Sequence, residues 1–232
     1  MLFRSNDVDL IDFGATTGVG VTLDLSSNAS QTVAPGLSIT LSDGMGIENL
    51  FGGTGADTLT GNLRDNVIWG RAGNDKLDGS DGNDVIDGGL GADSLAGGLG
   101  NDRETGGAGT DSITGDGGND ILTGGLGSDT FKFTGAVAAN NADTVTDFTV
   151  APVASGGDVL NLHDVLPVAA QGQTTAGALG AYLSVAADGL GNTVVKIDSD
   201  GAGANPSVTV VTLQGVTGVT LQDLLNNNQI VT

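Results

Sequence analysis

The sequence predicts an all-β fold: a parallel β-roll, a right-handed β-helix-like solenoid of 18-residue coils, with a β-rich cap before it and a β-rich segment after it. Three observations predict it. A nine-residue period runs unbroken through the middle of the chain, glycine and aspartate return at fixed places within each period, and an apolar side chain returns at a third. Gly supplies 41 of 232 residues, well above the usual ~7%. Aromatics are only 3% while mean hydropathy is +0.11, so this is not an apolar-poor disordered chain.

The repeat comes first. Nine blocks of nine begin at Gly52, Gly61, Gly70, Gly79, Gly88, Gly97, Gly106, Gly115 and Gly124, with no insertion. Position four is Gly in every block but one, where Arg64 stands. Position six is Asp57, Asp75, Asp84, Asp93, Asp102, Asp111, Asp120 and Asp129, with Asn66 as the substitution. Position eight is Leu59, Ile68, Leu77, Ile86, Leu95, Glu104, Ile113, Leu122 and Phe131.

Glycine admits backbone angles closed to other residues, so the first six residues of a block can make a tight turn with carbonyls pointing inward. Positions seven to nine then form a short strand whose middle side chain faces opposite to its neighbours. Two turn–strand units close one coil. Leu59, Leu77, Leu95, Ile113 and Phe131 should therefore stack in one sheet, and Ile68, Ile86, Glu104 and Leu122 in the other. The interior is one side chain thick on each side, so a further stabilising term is needed.

The aspartates point to that term. A single Asp in a turn commonly bonds its own backbone. Here carboxylates stack one coil apart, which is unfavourable without counter-ions. The nine blocks hold 14 acidic and 5 basic residues, a net −9. A hard cation held by carboxylates and turn carbonyls answers both needs, and calcium takes six to eight oxygens in flexible geometry.

These residues resemble the RTX family, calcium-binding proteins exported by type I secretion. The resemblance implies Ca2+ between same-edge turns one coil apart, one turn offering mainly carbonyls and the next its position-six carboxylate with glycine carbonyls. The implied carboxylate ligands are Asp57, Asp75, Asp84, Asp93, Asp102, Asp111, Asp120 and Asp129. The implied glycine ligands are Gly53, Gly55, Gly70, Gly73, Gly79, Gly82, Gly88, Gly89, Gly91, Gly97, Gly98, Gly100, Gly106, Gly107, Gly109, Gly115, Gly118, Gly125 and Gly127. Four turn pairs on the odd edge (Gly52/Gly70 to Gly106/Gly124) and three on the even edge (Gly61/Gly79 to Gly97/Gly115) set about seven ions as the upper expectation. The Gly61 block departs from the motif at Asn62, Arg64 and Asn66, which puts its site in doubt. Glu104 occupies an apolar slot, where it is expected to reach solvent or pair with Arg103; the alternative is a buried, protonated carboxyl with a raised pKa.

Residues 1–51 read as an N-terminal β cap or lead-in coils, with alternation over Val19 to Leu25 and Leu37 to Leu41 and a lead-in from Ile47 to Phe51. Open solenoid ends require such covers. Residues 52–133 are the roll. Residues 134–232 read as a C-terminal β-rich domain. Within it Ala142 to Phe148, Asp158 to Leu162 and Ser207 to Leu213 are strands, Tyr182 to Asp188 and Thr193 to Asp198 a hairpin about Gly189–Asn192, and Val219 to Asn227 a short amphipathic helix. The closing Leu221-Gln-Asp-Leu-Leu-Asn-Asn-Asn-Gln-Ile-Val231 is similar to the C-terminal target domain of type I-secreted adhesins. That resemblance implies a type I secretion target domain, an extracellular or cell-surface location and the type I machinery as partner.

Several functions are disfavoured. A formal charge of −21 lacks the basic surface of a nucleic-acid or anionic-membrane binder, and equally disfavours a polyanionic alginate ligand. There are no cysteines, hence no disulfide or thiolate metal site. No apolar run is long enough to span a membrane. No secretory h-region follows Met1 to Arg4, and the abrupt start reads as the edge of a longer protein. His163 is the single histidine, read as a surface or strand-edge residue, and no nucleophile–base set accompanies it. The chain is thus read as a non-enzyme. An ice-binding row of Thr or Asn is absent from position three, which reads Thr54, Leu63, Ala72, Asp81, Leu90, Leu99, Ala108, Gly117 and Leu126. Two wholes remain: the end of a surface adhesin, or the tail of a secreted RTX hydrolase such as a protease or lipase with its catalytic domain upstream. Surface or carbohydrate ligands would fall to domains outside these residues.

Overall fold

The computed structural model describes residues 9–41, 46–134, 142–201 and 206–232. The opening residues 1–5, read above as the edge of a longer protein, lie outside them. Before the repeats come β1 (Leu10–Asp12), β2 (Thr22–Asp24), β3 (Ser30–Ala34), β4 (Leu37–Thr40) and β5 (Asn49–Phe51). The repeats form β6 (Thr58–Thr60), β7 (Val67–Ala72), β8 (Lys76–Asp78), β9 (Val85–Leu90), β10 (Ser94–Leu99), β11 (Arg103–Gly109), β12 (Ser112–Gly117), β13 (Ile121–Gly127) and β14 (Thr130–Lys132). Then follow β15 (Asp143–Val145), β16 (Val159–Asn161), helix α1 (Ala176–Leu179), β17 (Leu183–Ala187), β18 (Thr193–Ile197), β19 (Val208–Leu213), helix α2 (Leu221–Asn226) and β20 (Ile230–Val231).

Alternate strands fall into two sheets. One runs β1-β5-β7-β9-β11-β13-β15-β19-β18-β17 and the other β2-β6-β8-β10-β12-β14-β16-β20. Pairing within the repeats is parallel with an 18-residue offset, as in Leu77↔Leu95↔Ile113↔Phe131 and Ile68↔Ile86↔Glu104↔Leu122. The chain is thus an all-β parallel β-roll, and the two apolar columns fall where the nine-residue period puts them.

Both columns continue past the repeats. Leu23 stacks on Leu59 and Leu50 on Ile68 at one end, and Phe131 on Leu160 and Leu122 on Val145 at the other. All these side chains are essentially inaccessible to solvent. β3 and β4 form an antiparallel pair outside the coil. At the far end β17, β18 and β19 are antiparallel to one another, while β19 is parallel to β15. This turns the chain back and gives the C-terminal part a thicker core, in which Leu179, Leu183, Val195, Val211, Leu213 and Leu224 pack with Phe131 and Phe133. Helix α2 is held at its start by Thr220 and Asp223, each capping the other's backbone N–H. None of the described helices is long and apolar enough to cross a membrane.

Candidate metal centre

Each turn is shaped by positions two and four. Gly89, Gly98, Gly107 and Gly125 at position two have φ from 99° to 111°, and Gly91, Gly100, Gly109, Gly118 and Gly127 at position four from 139° to 152°. Only glycine holds such angles without strain. The second reason for glycine at position four is proximity: a Cβ on Gly91, Gly109, Gly118 or Gly127 would lie 1.5 Å from the position-four carbonyl oxygen one coil earlier. The turns are therefore stacked backbone on backbone. Arg71, Ser80 and Asp116 hold position two at φ 74°, 77° and 63°, and carry the strain that glycine avoids.

The position-six aspartates turn inward and form two ladders. Oδ1 of Asp75 accepts the Asp57 N–H at 2.7 Å, Oδ1 of Asp93 that of Asp75, Oδ1 of Asp111 that of Asp93, and Oδ1 of Asp129 that of Asp111. On the other edge Asp84, Asp102 and Asp120 accept from Asn66, Asp84 and Asp102. Each bond spans one coil. These aspartates are only 1–3% exposed.

Their other oxygens stand alone. Oδ2 of Asp75, Asp84, Asp93, Asp102, Asp111, Asp120 and Asp129 is buried with no hydrogen-bond partner. Each lies over the first glycine of its own block, where a Cβ on Gly70, Gly79, Gly88, Gly97 or Gly106 would sit 2.3–2.5 Å from it and 2.5–2.9 Å from the first-glycine carbonyl of the next same-edge coil. A carboxylate oxygen and a carbonyl oxygen thus converge on a space that only a missing side chain leaves open. Removed from water, these carboxyls are pushed up: Asp75, Asp93, Asp102 and Asp129 to about 6 and Asp84 to about 7, burial being the main cause and neighbouring carboxylates adding to it. Asp111 shifts the same way for the same reason, and Asp120, also buried and facing Asp143, rises to about 7.

Calcium fits this donor set. The oxygens are hard, a buried and unpartnered carboxylate is costly unless a cation meets it, and backbone carbonyls surround it. Among the described residues no three of His, Cys, Asp and Glu converge on one point, so a cation here relies on carbonyls for most of its ligands.

The ends differ from the middle. Asp57 places Oδ1 on the Val21 N–H and Oδ2 on the Gly53 N–H, both at 2.7 Å. Asn66 accepts from Asn62 N–H and donates toward the Ile47 and Glu48 carbonyls, and Arg64 pairs with Glu48 at 2.6 Å. The divergent Gly61 block is thus tied to the lead-in by the protein's own groups. Sequence reasoning missed the other end. Asp143 Oδ1 accepts the Asp120 N–H, and Asp158 accepts the Asp129 N–H with Oδ1 and the Thr149 N–H with Oδ2. Both are buried and raised to about 6, chiefly by burial. The signal was present as Asp143-Thr-Val145 and Asp158-Val-Leu160, which repeat the spacing of positions six and eight.

Two further expectations are corrected. Glu104 does not reach solvent or pair with Arg103: it is wholly buried between Ile86 and Leu122, with neither oxygen hydrogen-bonded. Burial first, then the charges of Asp120, Asp102, Asp116 and Asp143, drive its carboxyl well above the usual range. The strand register leaves it no other direction, because position eight always faces inward. A row of asparagines does exist, at position five rather than three: Asn119 N–H donates to Asn101 Oδ1, and Asn101 N–H to Asn83 Oδ1, along an exposed edge. His163 is exposed, 3.0 Å from Asp164.

Residues 44–77, 51–86, 60–95, 69–104 and 97–131 match the RTX calcium-binding nonapeptide repeat. No curated protein matches the chain. Among solved structures, a subunit of the Azotobacter vinelandii mannuronan C5-epimerase is 24% identical over 77% of this chain and 78% of its own, with a TM-score of 0.29. An extracellular lipase from Serratia marcescens is 17% identical over 77% of this chain and 40% of its own, with a TM-score of 0.27. The repeats of this class bind Ca2+, and their regularly spaced, buried aspartates are those of the two ladders. Over residues 44–131 the chain is similar to the RTX calcium-binding repeat family.

Proposed function

We propose that this chain is the calcium-dependent folding and secretion module of an extracellular protein, and that it is not itself an enzyme. Up to about seven ions bind along the two edges, between same-edge turns one coil apart. The observation that carries this is the set of seven orphaned Oδ2 atoms, one in every block from Gly70 to Gly124. Asp57 is the least suited of the eight aspartates, since both its oxygens already accept N–H groups. In this reading residues 1–51 cap the roll, 52–133 bind the ions, and 134–232 form the target domain read by a type I exporter.

Calcium, when bound, supplies positive charge and six to eight coordination positions for oxygen. The residues do the rest. Glycines bring carbonyls of successive turns together, the ladder N–H groups hold each Oδ1, and Oδ2 is left without a protein partner, so that it would serve as a ligand when a cation binds. A ligand that binds only the folded state stabilises it by mass action. Where calcium is scarce, the stacked carboxylates repel and the chain stays expanded and threadable. Outside the cell the aspartate ladders, once loaded, would hold the roll folded and so keep the chain from passing back. We assign the whole protein as a surface adhesin, on the adhesin-like closing segment; a metalloprotease or lipase motif encoded upstream would make it a hydrolase tail instead.

Circular dichroism in chelator should show little β-structure, with a cooperative gain as calcium is added, and titration calorimetry should give about seven ions per chain. Equal β-structure in chelator and in calcium, or a stoichiometry of one or two, would overturn the reading.

A further inference from the structure

The outer face of the larger sheet carries an aromatic wall that the calcium ladders do not use. Trp69 is the only tryptophan in the chain and is 42% exposed. Position nine of a block faces outward, and register places Phe51, Trp69, Asp87 and Thr105 side by side along it. The Phe51 and Trp69 rings stack with centroids 4.4 Å apart and planes within 8°. The Arg71 guanidinium lies 5.6 Å from the Phe51 ring centroid, and is fixed by two hydrogen bonds to Asp12 and one to the Gly52 carbonyl. The indole is thus backed on one side and held rigid before any ligand arrives.

Phe51 covers one face of the indole; the opposite face looks along the sheet toward the Asp87 coil. There the surface changes character. Among the described residues no hydrogen bond or ion pair engages the side chains of Asp87, Arg103 or Thr105, while exposed Val85 adds an apolar patch. Coils are spaced by about 5 Å, so the strip from Trp69 to Thr105 runs about 10 Å. A rigid apolar wall beside a free carboxylate, guanidinium and hydroxyl matches a molecule with one C–H face and a rim of hydroxyls.

We propose that Trp69, Asp87, Arg103 and Thr105 form a binding site for an uncharged sugar, one or two pyranose rings of a neutral glycan. The ring's C–H face stacks on the indole, Asp87 accepts hydroxyl hydrogens, and Arg103 and Thr105 donate to hydroxyl oxygens. The charge of −21 opposes a polyanionic sugar or the phosphate backbone of a nucleic acid, and Arg103 opposes an organic cation. The site needs only the folded roll, and its test is run in calcium with folding followed separately by circular dichroism.

The full chain in calcium is titrated with cellohexaose, maltohexaose and tetramethylammonium while tryptophan emission is recorded, excited where Tyr182 does not absorb, so that the signal is that of Trp69. A saturable shift with at least one hexaose is expected. Native electrophoresis through gels holding hydroxyethyl cellulose or soluble starch then compares variants. Trp69→Ala should weaken retardation about tenfold, the scale of one lost aromatic contact, with Asp87→Asn weaker than the parent and Trp69→Tyr intermediate. All three should keep the calcium-induced β-signal. No emission change with either hexaose, a response to tetramethylammonium alone, a shift that depends on protein concentration rather than sugar, or retardation unaltered in Trp69→Ala and Asp87→Asn would each overturn the site.

Discussion

At the scale of single residues, Glu104 shows how a repeat dictates burial irrespective of chemistry. Its neighbours in the column are Ile86 and Leu122, and the register holds it inward with two unpartnered oxygens. Leaving such a group unsatisfied costs about 1–3 kcal/mol. Glu104→Leu should therefore raise the melting midpoint of the calcium-loaded chain by an amount on that scale. The folded carboxyl holds its proton more tightly than the unfolded one, so its contribution to stability is present below the unfolded pKa of about 4.3 and is lost as pH rises through the folded value. The advantage of the Leu variant should accordingly widen between about pH 5 and pH 8. Melts showing the same difference at both pH values, or a lower midpoint for the variant, would refute this.

At the scale of elements, the turn rather than the strand specifies the roll. The roll's strands run only three to seven residues, and the longer ones include the glycines of the turn, so they have little preference of their own. The position-four glycines set the spacing, because each lies against the carbonyl of the coil before. Gly109→Ala would put a Cβ 1.5 Å from the Gly91 oxygen at φ 152°. Such overpacking costs about 1–3 kcal/mol, and the coil cannot slide away without breaking the pairing of β11 with β9. The expected result is a calcium-induced transition shifted to higher calcium and made less cooperative, read by circular dichroism. Much of this was legible in the sequence: nine uninterrupted blocks fix the offset of 18, the parity of the sheets and the buried column. The rungs at either end were hidden by insertions. Asp143 follows Asp120 by 23 residues and Asp158 follows Asp129 by 29, so a fixed period misses both, although each keeps an apolar residue two places on. β1 and β2 were obscured likewise, since Leu23 meets Leu59 only after the excursion through β3 and β4. The burial of Glu104 was misread because its charge was given more weight than its register. The closed hydrogen bonding of Asp57 could not be read at all, as it depends on Val21, 36 residues away.

At the scale of the whole molecule, the two ladders make protons and calcium partial substitutes for one another. Without metal, Asp75, Asp93, Asp102 and Asp129 titrate near 6 and Asp84 and Asp120 near 7 in the folded roll, raised chiefly by burial. In the unfolded chain an aspartate titrates near 3.9. The folded state therefore binds more protons than the unfolded one between about pH 4 and 7, and the metal-free roll loses stability as pH rises through that window. In calcium-free buffer β-structure should grow as pH is lowered from about 8 to 5, the reverse of the usual acid unfolding of a protein whose carboxylates are paired. Added calcium should act oppositely: a carboxylate must shed its proton to bind the ion, so the calcium midpoint should rise as pH falls over the same interval. Measuring ellipticity against pH at zero and at saturating calcium separates the two effects. Should calcium-free β-structure increase toward alkaline pH, the carboxylates would be stabilised in the folded roll by something other than a cation, and the seven orphaned oxygens would no longer mark metal sites.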